Sequence, residues 1–296
     1  MRKYYIIYND DKLDNDDIES FKSSINSILN KNLSYEIIKI TEINNYNFHK
    51  FSDYTKFIFV IGGDGTVLSV ARKLYNIDCN IFPINAGHCG FLTQYELNDI
   101  LTQNVNDEIK QILTGTYKID KRSLLEIEYN GKYYYALNDF VLNRAGTDHN
   151  MKMINVYVVV NDLEDCFNEE HYGYSYRGDG IIFSTPTGST AYNLSAGGPI
   201  IDPHSNSIII TPINSQRSFF TYPLVVNNKY EILIELNDID NSFDKTNIFG
   251  NIDGQDYFIV DFNKSDEIYI RKSKYYVNFV NIHGNSFYNL IDYKFN

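Results

Sequence analysis

Asp64 stands in the middle of Gly62-Gly63-Asp64-Gly65-Thr66, between the apolar run Phe59-Val60-Ile61 and a stretch of helical period ending at Leu74. A glycine turn that opens a helix after a strand suits a phosphate. Glycine lets a ligand approach the backbone closely, and the first N–H groups of a helix lack partners in the chain. The spacing predicts that the N–H groups of Gly65, Thr66 and Val67 point outward to such a ligand. The carboxylate of Asp64 then serves either a second ligand or the helix itself, as its N-cap. Neither GxxxxGK[ST] nor an intact GxGxxG occurs in the chain, so neither a P-loop nor a standard dinucleotide fingerprint explains the turn. A second stretch, RGDGIIFSTPTGSTAYNLSAGGPII from Arg177 to Ile201, crowds Gly, Ser and Thr between apolar runs. Two charges, Arg177 and Asp179, stand together at its start. A core strand has no use for TPTGSTAY. Its hydroxyls and N–H groups suit the edges of a purine or ribose, and the Tyr192 ring suits stacking. A glycine-rich loop leading into a helix is the plainer alternative. Third, Asn138-Asp139 is a polar pair inside an apolar run; it is a bulge or a ligand contact, and spacing alone leaves the two open.

The elements that must carry these residues fall into two groups. Up to about Tyr117, strand-like runs at YYIIY (4–8), YEIIKI (35–40), KFIFVI (56–61) and NIFPIN (80–85) alternate with helix-compatible stretches at Asn15–Leu29 and after Gly65. Alternation of this kind predicts a parallel sheet with helices on its faces, whose ligands bind at the carboxyl ends of the strands. Beyond Tyr117 come short β-branched or aromatic runs: 123–130, 133–143, 154–160, 207–213, 230–236, 267–272 and 275–280. With turn pairs such as Asn130-Gly131 and Asn161-Asp162 between them, they predict a mostly antiparallel β domain. The fold class expected is therefore α/β + β, with an α/β domain at 1–117, a β domain at 118–280, and a tail at 281–296 that returns to the N-terminal domain. The acidic run 9–17 reads as a solvated loop and helix start.

Composition narrows the function classes. The 296 residues carry a formal charge of -12, which argues against nucleic acid or an anionic membrane as partner. An acidic protein must hold a phosphorylated ligand by local devices: backbone N–H groups, a few cations and a metal ion. Cys79, Cys89 and Cys166 show no CxxC spacing and read as small buried residues in a reducing cytoplasm. The stretch 180–201 lacks Asp, Glu, Lys and Arg, yet its Gly, Pro, Ser and Thr content makes it a poor membrane helix.

Taken in order, GGDGT (62–66), Asn138-Asp139 and DGIIFSTPTGSTAYNLSAGGP (179–199) resemble the NAD kinase family. NAGHCGFLT (85–93) and Asp253-Gly254-Gln255 are similar to two further elements of that family. The resemblance spans about Ile58 to Gln255, and its 179–199 block is highly specific; GGDGT alone also occurs in lipid kinases and phosphofructokinases. It implies transfer of a phosphoryl group from ATP or polyphosphate to the adenosine ribose 2′-hydroxyl of NAD, with Mg²⁺, in a homodimer or homotetramer. Asp64 would be the general base, and Gly62, Gly63, Gly65 and Thr66 would hold the donor phosphates. NAD would meet Asp64, Gly65, Asn138, Asp139, Arg177, Asp179, Thr187, Thr190, Ala191, Tyr192, Ser195 and Gln255. His149 lies near a further family contact and reads better as a loop histidine. The alternatives are a lipid or sugar kinase sharing the GGDGT turn, and a non-catalytic NAD or NADP sensor. The former wants an apolar slot and a basic membrane face, and the latter needs no carboxylate at position 64. The Asn-Asp pair is one methylene shorter than the commoner Asn-Glu.

Overall fold

The computed structural model describes residues 3–48, 57–87, 90–93, 95–144, 153–162, 172–217, 220–236, 248–261, 267–281 and 287–295. Cys89, His149 and Cys166 lie outside these residues. The chain divides into two compact units, Met1–Arg122 with Tyr276–Asn296, and Ser123–Tyr275.

In the first unit β1 (Lys3–Tyr8), α1 (Asn15–Leu29), β2 (Ser34–Lys39), β3 (Phe57–Gly62), α2 (Asp64–Leu74), β4 (Asn80–Asn85), β5 (Tyr95–Glu96), α3 (Leu97–Leu101) and α4 (Asn106–Thr114) follow in order. The strands pair in parallel as β2-β1-β3-β4. Their near-continuous apolar runs are what a sheet covered on both faces requires: Ile58, Phe59, Val60 and Ile61 are all wholly buried. Helix α1 begins at a capping box, in which the Asp14 side chain accepts from Asp16 and Asp17 N–H and Asp17 answers to Asp14 N–H. It buries Ile18, Phe21 and Ile25 against Tyr4, Ile6, Phe59 and Phe82. Strand order reverses between β1 and β3. The crevice beyond their carboxyl ends is where open α/β sheets bind ligands, and Gly62 ends β3 there.

The second unit is built from β6 (Lys118–Tyr129), whose first residues precede it, β7 (Lys132–Ala136), β8 (Asp139–Arg144), β9 (Ile154–Asp162), β10 (Tyr172–Gly178), β11 (Gly180–Ser184), α5 (Tyr192–Ser195), β12 (Ser207–Ile213), β13 (Leu224–Asn227), β14 (Tyr230–Glu235), β15 (Ile248–Ile252), β16 (Asp256–Ile259) and the first part of β17 (Glu267–Asn281). One antiparallel sheet runs β13-β12-β11-β8-β15-β16, and another includes β10-β9-β14-β17, with β6 and β7 beside it. Their facing side chains form one core, with Ile127, Val156, Ile232 and Ile268 from one sheet and Phe140, Phe183, Ile210 and Ile252 from the other. The end of β17 pairs with β4 (Asn278 with Asn80, Phe279 with Ile81), and α6 (Phe287–Phe295) follows it. Among the described residues no helix is long and apolar enough to cross a membrane.

Three local expectations change. Asn130-Gly131 is a turn, with both residues at positive φ (49° and 69°). Asn161-Asp162 is not: the pair ends β9 and is held there by pairing with Glu231 and Tyr230. The runs 267–272 and 275–280 are one strand, because Ser273-Lys274 has neither Gly nor Pro, Ser273 is buried, and its hydroxyl accepts the Tyr275 N–H at 3.0 Å without breaking the strand. Conversely, 133–143 is two strands, β7 and β8, in different sheets, and the chain breaks at Leu137-Asn138.

Candidate functional site

In the first unit Asp64 is the first residue of α2, and its N-cap is Gly63, in extended backbone. The Asp64 carboxylate does not cap the helix. Its Oδ2 accepts the Phe91 N–H at 2.8 Å and its Oδ1 the Leu92 N–H at 3.1 Å, which ties the segment 90–93 to the helix start. A Cβ on Gly90 would lie 1.7 Å from Asp64 Oδ1, so only glycine lets that segment reach the carboxylate. Each carboxylate oxygen has a further lone pair for a ligand hydroxyl. Gly62 is needed for a similar reason, since a Cβ there would stand 2.4 Å from Thr66 Oγ1. At Gly63 a Cβ would meet nothing within 4 Å, so its outer side is open space. None of Gly62, Gly63 and Gly65 has a positive φ; close approach is what Gly62 uses.

The expectation of outward N–H groups at Thr66 and Val67 is corrected. Both donate to the Gly63 carbonyl, at 2.9 and 3.2 Å, because a glycine N-cap in extended backbone turns its carbonyl into the first helical turn. Gly65 lies exposed beside them. The Thr66 hydroxyl accepts from Asn9 Nδ2 at 3.3 Å. Next to this turn, Asn85 donates to both oxygens of Glu96, at 2.8 and 2.9 Å, and to Gly87 O at 3.1 Å. Lys12 brings a cation to the same segment, with its Nζ 3.2 Å from where a Gly87 Cβ would stand.

In the second unit three stretches far apart in sequence meet. The Leu137–Asp139 turn is gripped from one side by Asp253, whose carboxylate accepts the N–H groups of Leu137, Asn138 and Asp139 at 3.0, 2.8 and 3.1 Å. From the other side, Thr185 N donates to Asn138 O at 2.8 Å and Thr185 Oγ1 to Leu137 O at 2.6 Å. A Cβ on Gly188 would stand 2.1 Å from Asn138 O, so the two backbones touch and glycine alone fits. This explains the strand break: the N–H groups of the polar pair bind a carboxylate instead of a neighbouring strand. The pair is neither a bulge nor a regular strand interior. Asn138 is half-buried, and its side chain makes no hydrogen bond among the described residues. Asp139 is 5 % exposed, and burial, then the neighbouring Asp253 carboxylate, push its carboxyl up to about 7.

After Thr185 the chain makes a 3-10 turn at Thr187–Thr190 and then the short α5. Thr187 is buried in that turn, while Thr190 and Ala191 are half-buried and Tyr192 and Ser195 are exposed. The block is organised from within by Asn193. Its Nδ2 donates to Ser189 O and Pro199 O at 3.0 and 3.1 Å, and its Oδ1 accepts from Thr211 Oγ1 at 2.6 Å. Gln255 lies exposed in the β15–β16 turn that carries Asp253.

Arg177 and Asp179 occupy the bend from β10 to β11, where the chain changes sheets. The buried Tyr176 hydroxyl lies 2.5 Å from Gly180 O and 2.8 Å from Ile213 O, and it fixes this bend. Asp179 is exposed and accepts from Asn214 Nδ2 at 2.9 Å; the Arg177 Nε is buried without a partner among the described residues. Neither side chain bonds to the 137–139 cluster. Sequence reasoning missed Asp253, Asn193, Gly188 and the Gly90–Leu92 backbone. All lie within the family-like elements, Asp253 in Asp-Gly-Gln, Gly188 and Asn193 in the 179–199 block, and Gly90–Leu92 in NAGHCGFLT, but nothing local assigns them a role.

Comparison with known proteins gives one direction. The model described as ATP-NAD kinase N-terminal domain matches residues 2–117, and that described as ATP-NAD kinase C-terminal domain matches residues 137–282. An NAD kinase of Caldanaerobacter subterraneus is 32% identical over 302 residues, covering 98% of each chain. One from Clostridium kluyveri is 39% identical over 221 residues, or 73% of this chain and 70% of that one. Among solved structures, an NAD kinase from Archaeoglobus fulgidus in complex with ATP matches with a TM-score of 0.72 at 26% identity, over 98% of this chain and 97% of that one. Yeast NADH kinase complexed with NADH, at 20% identity, shares the fold with a TM-score of 0.74, over 100% of this chain and 87% of that one.

Proposed function

The chain belongs to the NAD kinase family, and we propose that its chemistry is divided between the Asp64 turn and the Asn138–Asp139 cluster. The enzyme transfers the terminal phosphoryl group of ATP to the adenosine ribose 2′-hydroxyl of NAD, producing NADP. The observation that carries the division of roles is the turn 137–139, packed between Asp253 and Thr185–Gly188 with the Asn138 side chain left unbonded. On this reading Asn138 and Asp139 take hydroxyls or the adenine of NAD, and Thr187, Thr190, Ala191, Tyr192 and Ser195 line the adenosine. Arg177, Asp179 and Gln255 make further dinucleotide contacts. Asp64 accepts a hydrogen bond from the 2′-hydroxyl and takes its proton as the new P–O bond forms, and Gly65 lies beside the same ribose.

The donor phosphates approach the backbone at Gly63 and Gly65, a reading supported by the open space at Gly63; Gly62 and Thr66, packed on each other, shape the turn. Phosphoryl transfer needs alignment and charge stabilisation more than covalent work from the protein. A divalent metal, Mg²⁺ for choice, would supply the charge stabilisation on the phosphates. Among the described residues no group of three or more His, Cys, Asp or Glu gathers that could hold it. The negative charge and the CxxC-free cysteines favour a cytoplasmic enzyme, and the family resemblance favours a homodimer or homotetramer.

The test is NADP formation by the purified chain from NAD with Mg-ATP or with polyphosphate, scored by an NADP-specific dehydrogenase. Wild-type enzyme forms NADP; Asp64→Asn loses about 10²- to 10⁴-fold in kcat, and its KM for NAD rises as well, because the amide NH₂ faces the Phe91 or Leu92 N–H in place of an acceptor. Turnover near wild type in that variant removes Asp64 from the base role.

A further inference from the structure

Three backbone N–H groups converge on one buried carboxylate that phosphoryl transfer itself does not require. Asp253 is 8 % exposed and sits in left-handed backbone (φ 51°), followed by Gly254 at φ 63°. Its Oδ1 accepts from Asn138 N and Asp139 N, its Oδ2 from Leu137 N, and its own N–H donates back to Asp139 O at 2.9 Å. Both oxygens are used as acceptors, so an amide would set its NH₂ or its single oxygen against donors that need two acceptors. We propose that Asp253 is the positioning residue for NAD recognition, holding the Leu137–Asp139 turn so that the Asn138 and Asp139 side chains face the dinucleotide. The proposal rests on the reading of Asn138 and Asp139 as NAD contacts.

The same carboxylate acts on Asp139 through space. Asp139 is buried and already raised by desolvation, and the charge of Asp253 raises it further. Among the neighbouring groups, Ser184 pairs with Asp139 on β11, Thr185 and Gly188 meet the adjacent Leu137 and Asn138, and Ile252 at the end of β15 pairs with Phe140; none of these titrates near neutral pH. An ionised Asp139 accepts hydroxyl hydrogen bonds and a protonated one accepts fewer, so kcat/KM for NAD rises with pH through the Asp139 titration. Neutralising Asp253 removes a repelling charge, which moves that limb to lower pH.

The experiment compares the full-length wild type with Asp253→Asn and Asp253→Glu. In Asp253→Asn the KM for NAD rises about ten- to a hundred-fold while the KM for ATP stays within about two-fold. Its pH limb moves to lower pH. Asp253→Glu keeps the charge but displaces it by one methylene, so the KM for NAD rises and the limb stays. A purely structural role would lower the melting temperature and leave the KM for NAD of the folded variants at the wild-type value. A wild-type KM for NAD in both variants, or an unmoved limb in Asp253→Asn, overturns the proposal; if Asp253→Asn does not fold, the KM of Asp253→Glu decides. Titration calorimetry of NAD binding makes the same comparison without turnover. A wild type that neither forms NADP nor binds NAD overturns the functional reading, whereas an active wild type with unchanged variants overturns the role of Asp253 alone.

Discussion

Asp139 and Asp64 are both carboxylates in turns proposed to meet the nucleotides, but they are held differently. Asp64 receives two N–H donors from the 90–93 segment, and Asp139 receives none on its side chain among the described residues. A buried carboxyl without donors beside a second carboxylate is a cost to the folded state once it ionises. The sign follows from linkage. With a folded-state value raised to about 7 from 3.8, the unfolded chain releases this proton first as pH rises. The contribution of Asp139 to stability is therefore full below about pH 4 and falls away up to about pH 7. Asp139→Asn should melt above wild type at pH 8, by an amount reflecting a few kcal/mol at about 1.4 kcal/mol per pKa unit, and the gap should close toward pH 4. Melting curves across that range check it. Equal melting points at pH 8 would mean that Asp139 is not strained by its burial.

The run 133–143 reads as one continuous strand in period and propensity, yet it serves two sheets. What divides it is the competition between strand pairing and the Asp253 carboxylate for the N–H groups at 137–139, a competitor more than a hundred residues away. The stretch 184–201 behaves alike. It has no regular element longer than α5, and Asn193 supplies its order from inside by bonding three partners, with Gly198 leaving room for the amide. Asn193→Ala should strand two carbonyls and a hydroxyl and cost about 2–4 kcal/mol in denaturant titrations. It should also raise the KM for NAD, because Thr187 and Thr190 belong to the same turn. Unchanged stability would show that water replaces the amide without loss.

For the molecule as a whole, each of the two units closes its own core, and the first is made of two separate chain segments. Val277, Phe279 and Val280 return late in the chain, all nearly or wholly buried, with Phe279 paired to β4 and Val280 in the core of the first unit. Burial of side chains like these contributes roughly 1.5–3 kcal/mol each, and three of them together rival the net stability of an ordinary domain. A chain shortened to end at residue 275 should therefore lose the cooperative calorimetric transition of the first unit and become protease-sensitive within 3–122. Retention of that transition would show that β1–β4 and their helices suffice.

The sequence by itself determined the α/β and β classes, most of the strands, the start of α1 and the family, because period, turn residues and dense local motifs act within a few residues of one another. It also marked Asp64, Asn138-Asp139 and the 179–199 block as candidates for the chemistry. Only the tertiary structure decided how these residues are held. Asp64 serves the 90–93 backbone, the Thr66 and Val67 N–H groups turn into the helix, and Asp253 and Asn193 order the turns that carry the proposed recognition residues. The physical reason is that hydrogen bonds from buried carboxylates and amides join positions far apart in the chain. The residue that orders a turn then stands nowhere near it in the sequence, and no local pattern records the bond.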